Sequence, residues 1–143
     1  MKTASTLMTA FAACLISGAA FAADLSFSAT LSGATEVPPK TGSGTGQLLA
    51  TLDTSTKSLT YTLTYSGLTG PATMAHFHGP AAVGANAGVA VPIAAPLDNP
   101  IHGSVTLTDA QIKDLESGKW YTNIHTAANP GGEIRGQVMK SGN

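Results

Sequence analysis

Polar and apolar residues alternate one for one along much of the chain beyond residue 23. In Leu25-Ser26-Phe27-Ser28-Ala29-Thr30-Leu31 every second side chain is apolar, as a strand with one face in a core and one in water requires. The same period runs from about Gly46 to Leu52. It returns from Ser58 to Tyr65, where Leu59, Tyr61, Leu63 and Tyr65 are spaced by Thr and Ser. Between these two runs, Asp53-Thr54-Ser55-Thr56-Lys57 has the polar chemistry of a hairpin turn. Further short strands are predicted over Thr73–His78, Gly88–Ile93, Gly103–Leu107, Tyr121–His125 and Glu133–Met139. Gly- and Pro-rich connections separate them: Gly79-Pro80, Pro96 to Pro100, and Asn129-Pro130-Gly131-Gly132, whose Pro and Gly suit a type II turn.

One segment breaks the two-residue period. Thr108-Asp109-Ala110-Gln111 has the form of a capping box, with Gln three residues after the capping Thr. Ile112 and Leu115 then share a helical face, and Gly118 is a natural stop. About eight short strands and one short helix predict an all-β fold, an antiparallel β-sandwich of Greek-key, immunoglobulin- or superoxide dismutase-like type.

Composition narrows the function classes. Only 10% of the 143 residues are charged and 43% are hydrophobic, against about 25% charged in an average soluble protein. Thr, Ser, Gly and Ala must therefore build the surface, and a coiled coil is excluded. Seven Lys and Arg stand against eight Asp and Glu, so no basic excess exists to neutralise phosphates and a nucleic-acid partner is not expected.

Residues 1–22 are expected to be a cleaved signal peptide. Lys2 supplies the positive start, Leu7 to Ile16 the apolar stretch, and Ala20-Phe21-Ala22 the A-x-A cleavage signal. The stretch is too short for a transmembrane span. Cleavage after Ala22 removes Cys14, the sole Cys, and leaves residues 23–143 as one domain without disulfides or thiolate ligands. The rival reading makes Cys14 a lipidated N-terminus, but Phe11 stands where a lipobox has Leu. Either way the destination is the periplasm or the exterior of a bacterial cell.

The four His carry the most chemical information. His76 and His78 are two residues apart on a predicted strand and so project from one face. Their Cα atoms are expected about 6.6 Å apart, close enough for two imidazoles to converge on one ion. Ala75 and Phe77 point the other way. His125 ends another strand, sharing a face with Tyr121 and Asn123. If the two strands are neighbours, three His gather at one end of the domain. The competing reading is a set of ordinary hydrogen-bonded His. His102, in a turn entering a strand, and Met74, which has the parity of His76 and His78 and a thioether suited to copper, are the weaker ligand candidates.

Other groups read as structural. Glu133 and Arg135, also two apart on a strand, are expected to form a pair at the surface or rim. Gly42-Ser43-Gly44-Thr45-Gly46 lacks the Lys and following helix of a phosphate loop and is read as a flexible loop. No Ser sits in a G-x-S-x-G elbow, and no carboxylates form a close pair. Glu36 is not placed by the sequence.

Three motifs bear a family resemblance. Leu31-Ser32-Gly33-Ala34-Thr35-Glu36-Val37-Pro38-Pro39, Ala75-His76-Phe77-His78-Gly79-Pro80-Ala81 and the run from Asn123 to Gln137 resemble the CHRD domain, named after chordin. The resemblance implies an extracellular or periplasmic all-β module, with the shared His positions at His76, His78 and His125 and with His102 outside the motifs. A fainter similarity is to Cu,Zn superoxide dismutase, where an H-x-H strand and a later His hold copper and an Arg guides the anion. That similarity would give Arg135 the guiding role, but no Cys pair and no bridging-His zinc cluster accompany it here. The expected function is binding of one copper or zinc ion by His76, His78 and His125 in metal handling or sensing. The alternatives are a dismutase-like copper enzyme and a metal-free structural or adhesive module. No protein partner is indicated.

Overall fold

The computed structural model describes residues 23–142; the expected signal peptide and Cys14 lie outside them. Eight strands follow in chain order: β1 Asp24–Ser32, β2 Thr45–Asp53, β3 Ser58–Ser66, β4 Ala72–His78, β5 Val89–Pro92, β6 Ile101–Thr106, β7 Trp120–Thr126 and β8 Ile134–Lys140. One helix, α1 Asp109–Glu116, stands between β6 and β7. This is the all-β antiparallel architecture that the two-residue period predicts. The strands form a single sheet in the order β5-β4-β7-β8-β1-β2-β3-β6, and every pairing in it is antiparallel.

Alternation decides which face turns inward. Phe27, Ala29 and Leu31 of β1, Leu48, Ala50 and Leu52 of β2, and Leu59, Tyr61 and Leu63 of β3 are buried, while the Ser and Thr between them face outward. The sheet curls so that its two halves share this core. Tyr61 of β3 meets Phe77 of β4 edge-on with ring centroids 5.2 Å apart, and Phe77 lies 5.8 Å from Trp120 of β7.

The local signals act as anticipated. The turn after β2 is held by Asp53, whose carboxylate accepts hydrogen bonds from the backbone and hydroxyl of Ser55 and the backbone of Thr56. Those bonds, led by the Ser55 hydroxyl, hold its pKa at about 2. The Thr108–Gln111 capping box forms with both reciprocal bonds, and Gly118 takes a positive φ just beyond the helix. The strand β6 starts two residues earlier than the pattern predicts, because Leu63 of β3 pairs with Ile101 across the sheet.

Two expectations are corrected. Glu133 and Arg135 are not a surface or rim pair: both are buried and each bonds elsewhere. The Asn129–Gly132 turn closes through Gly132 N–H donating to the Asn129 carbonyl. Its positive φ falls on Gly132 rather than on Gly131, so it is not type II. Gly132 is also crowded, since a Cβ there would run into Glu36 Oε1 and Asn123 Nδ2.

Candidate metal centre

The strands β4 and β7 are hydrogen-bonded neighbours, with His76 opposite Asn123, His78 opposite Tyr121 and Met74 opposite His125. Strand geometry puts Ala75 and Phe77 in the core and leaves His76 and His78 on the other face. That face is covered rather than open. All seven residues of β7 are buried, because residues 79–88 and 127–133 fold over it.

Three His meet there. One ring nitrogen from each of His76, His78 and His125 lies within 4.8 Å of those of the other two. His76 Nδ1 is 3.1 Å from His125 Nε2. The His76 ring stands edge-on to both partners, at centroid distances of 5.3 Å from His78 and 4.9 Å from His125. His78 and His125 are buried and His76 is half-buried, so His76 faces the way in.

Hydrogen bonding settles which nitrogens carry protons. His78 Nδ1 is 3.0 Å from the Ala87 carbonyl and His125 Nδ1 is 2.9 Å from the Pro130 carbonyl. A carbonyl oxygen only accepts, so both Nδ1 atoms are N–H donors and the neutral rings present bare Nε2 lone pairs. Both Nε2 atoms point at one oxygen, Asn123 Oδ1, at 3.0 Å each. A backbone carbonyl fixing the tautomer and aim of an imidazole is the usual support of a metal-ligating His. Burial, then the neighbouring His125 and His78, hold the His76 pKa below its ordinary 6.5. Burial also lowers that of His78, against the opposing bonds to Ala87 and Asn123. Neutral, metal-competent imidazoles are thus favoured.

The surroundings are built by residues the sequence left unplaced or misplaced. The Tyr121 ring stacks on His78, 4.7 Å between centroids and 3° from parallel, and carries the Arg135 guanidinium 3.4 Å from its centroid. Arg135 donates to the Ala85 carbonyl and to Asn86 Oδ1 at 2.9 Å, so it clamps the loop whose Ala87 carbonyl orients His78. Glu133 accepts from Thr69 N, the Thr69 and Thr126 hydroxyls and Asn129 Nδ2, fixing the turn that presents the Pro130 carbonyl. Burial would raise its pKa, but these bonds outweigh it and the net shift is downward.

Glu36 arrives from the segment after β1. It is 5% exposed, and its Oε1 has no hydrogen-bond partner among the described residues. Burial raises its pKa against the pull of Arg135 and Lys40 and the bonds to Val37 and Asn123. No residue-spacing signal could have placed Glu36 beside Asn123, since the contact spans most of the chain.

Of the weaker candidates, Met74 is 44% exposed and stands directly opposite His125 in the β4–β7 register. His102 is on β6, at the other edge of the sheet from β5-β4, exposed and bonded through Nδ1 to the Thr62 hydroxyl at 3.0 Å.

No curated protein matches the chain, and no solved structure does. The family model of the CHRD domain matches residues 27–138, a span that runs from within β1 to within β8 and includes all three His of the cluster. The chain belongs to the CHRD domain family.

Proposed function

We propose that the protein is exported and binds a single copper or zinc ion through His76, His78 and His125, in metal handling or sensing rather than turnover. CHRD domains are modules of extracellular type, and the signal-like first 22 residues agree with export. Among the described residues no helix is long and apolar enough to cross a membrane. One observation carries the metal reading. Three ring nitrogens lie within 4.8 Å of one another, and two of those rings are tied through Nδ1–H to backbone carbonyls so that bare Nε2 atoms face inward. Neutral imidazoles suit both metals, and copper stands higher in the affinity order.

The test is copper and zinc titration of the mature chain beside the triple His76/His78/His125→Ala variant. One tight equivalent in the wild type and none in the variant is the expected result. Equal binding by both proteins, or by neither, rejects the site.

A further inference from the structure

The His cluster is arranged around a fourth polar side chain. Asn123 lies two residues before His125 on β7 and directly opposite His76 in the β4–β7 register. It is 3% exposed. Its Oδ1 sits 3.0 Å from Nε2 of His78 and 3.0 Å from Nε2 of His125. Both nitrogens are lone-pair atoms, because each neutral ring carries its one hydrogen on Nδ1 and donates it to the carbonyl of Ala87 or Pro130. His76 Nδ1 lies 3.1 Å from His125 Nε2, and with that Nε2 bare the hydrogen of this contact belongs to His76. The contacts from Oδ1 to the two Nε2 atoms therefore bring acceptors together with no hydrogen between them, an arrangement that a cation relieves.

The other end of the same amide is also constrained. Asn123 Nδ2 and Glu36 Oε1 share the space above Gly132, which only the absence of a Cβ leaves open. A carboxylate accepts and does not donate, so it draws the NH2 end of Asn123 toward itself. Flipping the amide would set its oxygen against the carboxylate. Glu36 is buried, and its Oε1 has no hydrogen-bond partner among the described residues, so the amide NH2 beside it is the donor its position favours.

We propose that Asn123 Oδ1 is the fourth donor of the site, completing a set of three imidazole nitrogens and one amide oxygen, and that Glu36 is a positioning residue that keeps this oxygen turned inward. The proposal rests on the metal-binding reading and deepens it to a class of ion. A neutral oxygen beside three imidazoles suits Zn²⁺ and Cu²⁺, whereas the cuprous ion prefers sulfur. The buried Glu36 carboxylate behind the amide supplies negative charge near the ion without itself being a ligand.

The experiment measures Zn²⁺ affinity by chelator competition, and the visible spectrum of the Co²⁺-loaded chain, for wild type, Asn123→Ala, Asn123→Asp and Glu36→Gln. Circular dichroism reports folding. Asn123→Ala is expected to weaken Zn²⁺ by roughly 10- to 100-fold, and Glu36→Gln by about 10-fold, in the range found when metal-site supports are removed. Asn123→Asp, with an anionic oxygen in the same place, is expected to bind Zn²⁺ at least as tightly as wild type. Its Co²⁺ bands should shift, and its metal-free form should melt lower. A purely structural Asn123 would not produce that combination of undiminished binding, shifted bands and weaker metal-free fold. Should Asn123→Ala fail to fold, the Asp and Gln variants decide. Wild-type affinity and spectrum in Asn123→Ala, or loss of binding in a folded Asn123→Asp, overturn the fourth donor while leaving the three-His site standing. Unchanged affinity in Glu36→Gln overturns the positioning role. A wild type that binds none of these ions overturns the metal reading and this proposal together.

Discussion

At the scale of single residues, the buried charges divide into satisfied and strained. Glu133 is 1% exposed and receives four hydrogen bonds, all from donors. Glu133→Gln puts an NH2 group against those donors and removes the charge that strengthens them. The expected loss is about 2–4 kcal/mol, since each bond to a charged group contributes roughly 1.5–3 kcal/mol and the donors left behind are buried. The folded pKa of Glu133 lies below its ordinary 4.5. Its contribution is therefore complete above that value and fades as pH falls through the depressed folded value. Urea unfolding should show the gap between wild type and Glu133→Gln at pH 7 and a shrinking gap below pH 4.5; a constant gap contradicts the assignment. Glu36 is the reverse case, with a raised pKa. Its ionised form opposes folding once pH exceeds the folded value, a penalty a metal-orienting role would explain.

At the scale of elements, the β4–β7 pair makes the site and the loop over it keeps it in register. Residues 79–88 have few bonds of their own. They are held by Arg135 to Ala85 and Asn86, by Gln137 to the Ala81 carbonyl and by the Tyr121 hydroxyl to Ala87. Arg135→Lys keeps the charge but loses the planar fork that reaches two acceptors and the stacking on Tyr121. Hydrogen exchange of the Ala87 amide should quicken while the amides of β1 to β3 stay protected. Zn²⁺ affinity should fall by about 10-fold as the Ala87 carbonyl loosens its hold on His78. Unaltered exchange at Ala87 would show that Arg135 does not clamp the loop.

At the scale of the whole molecule, the cluster ties acidity to stability. The pKa values of His76 and His78 lie below 6.5 in the folded chain. Folding thus favours their neutral forms: this part of the stability is complete above pH 6.5 and is lost as pH falls through the depressed folded values. Metal binding also needs neutral rings and should decline over the same interval, below about pH 6. With free Zn²⁺ at 100 times Kd, binding adds about 2.7 kcal/mol, or about 10 °C in a domain of this size. Thermal melts should show that rise at pH 7.5, lose most of it at pH 5 and never show it in the triple His→Ala variant. The same rise at both pH values would exclude His as the ligands.

Most of the fold was legible in the chain because its cause is local. A strand with one wet face must alternate, so Leu25–Leu31 and Ser58–Tyr65 announce β1 and β3. A Thr with Gln three residues on announces α1, and His76 and His78 share a face by strand geometry alone. What the sequence could not determine depends on partners distant in the chain. The β4–β7 register sets Asn123 opposite His76, and the loop 79–88 buries a face of β7 that alternation would leave wet. Arg135 and Glu133, which look like a rim pair when only their spacing is known, bond to loops some 50 and 64 residues away in sequence. The meeting of Glu36 with Asn123 above Gly132 exists only after the sheet has curled. Periodicity reports which way a side chain points, whereas tertiary packing alone decides what it meets there.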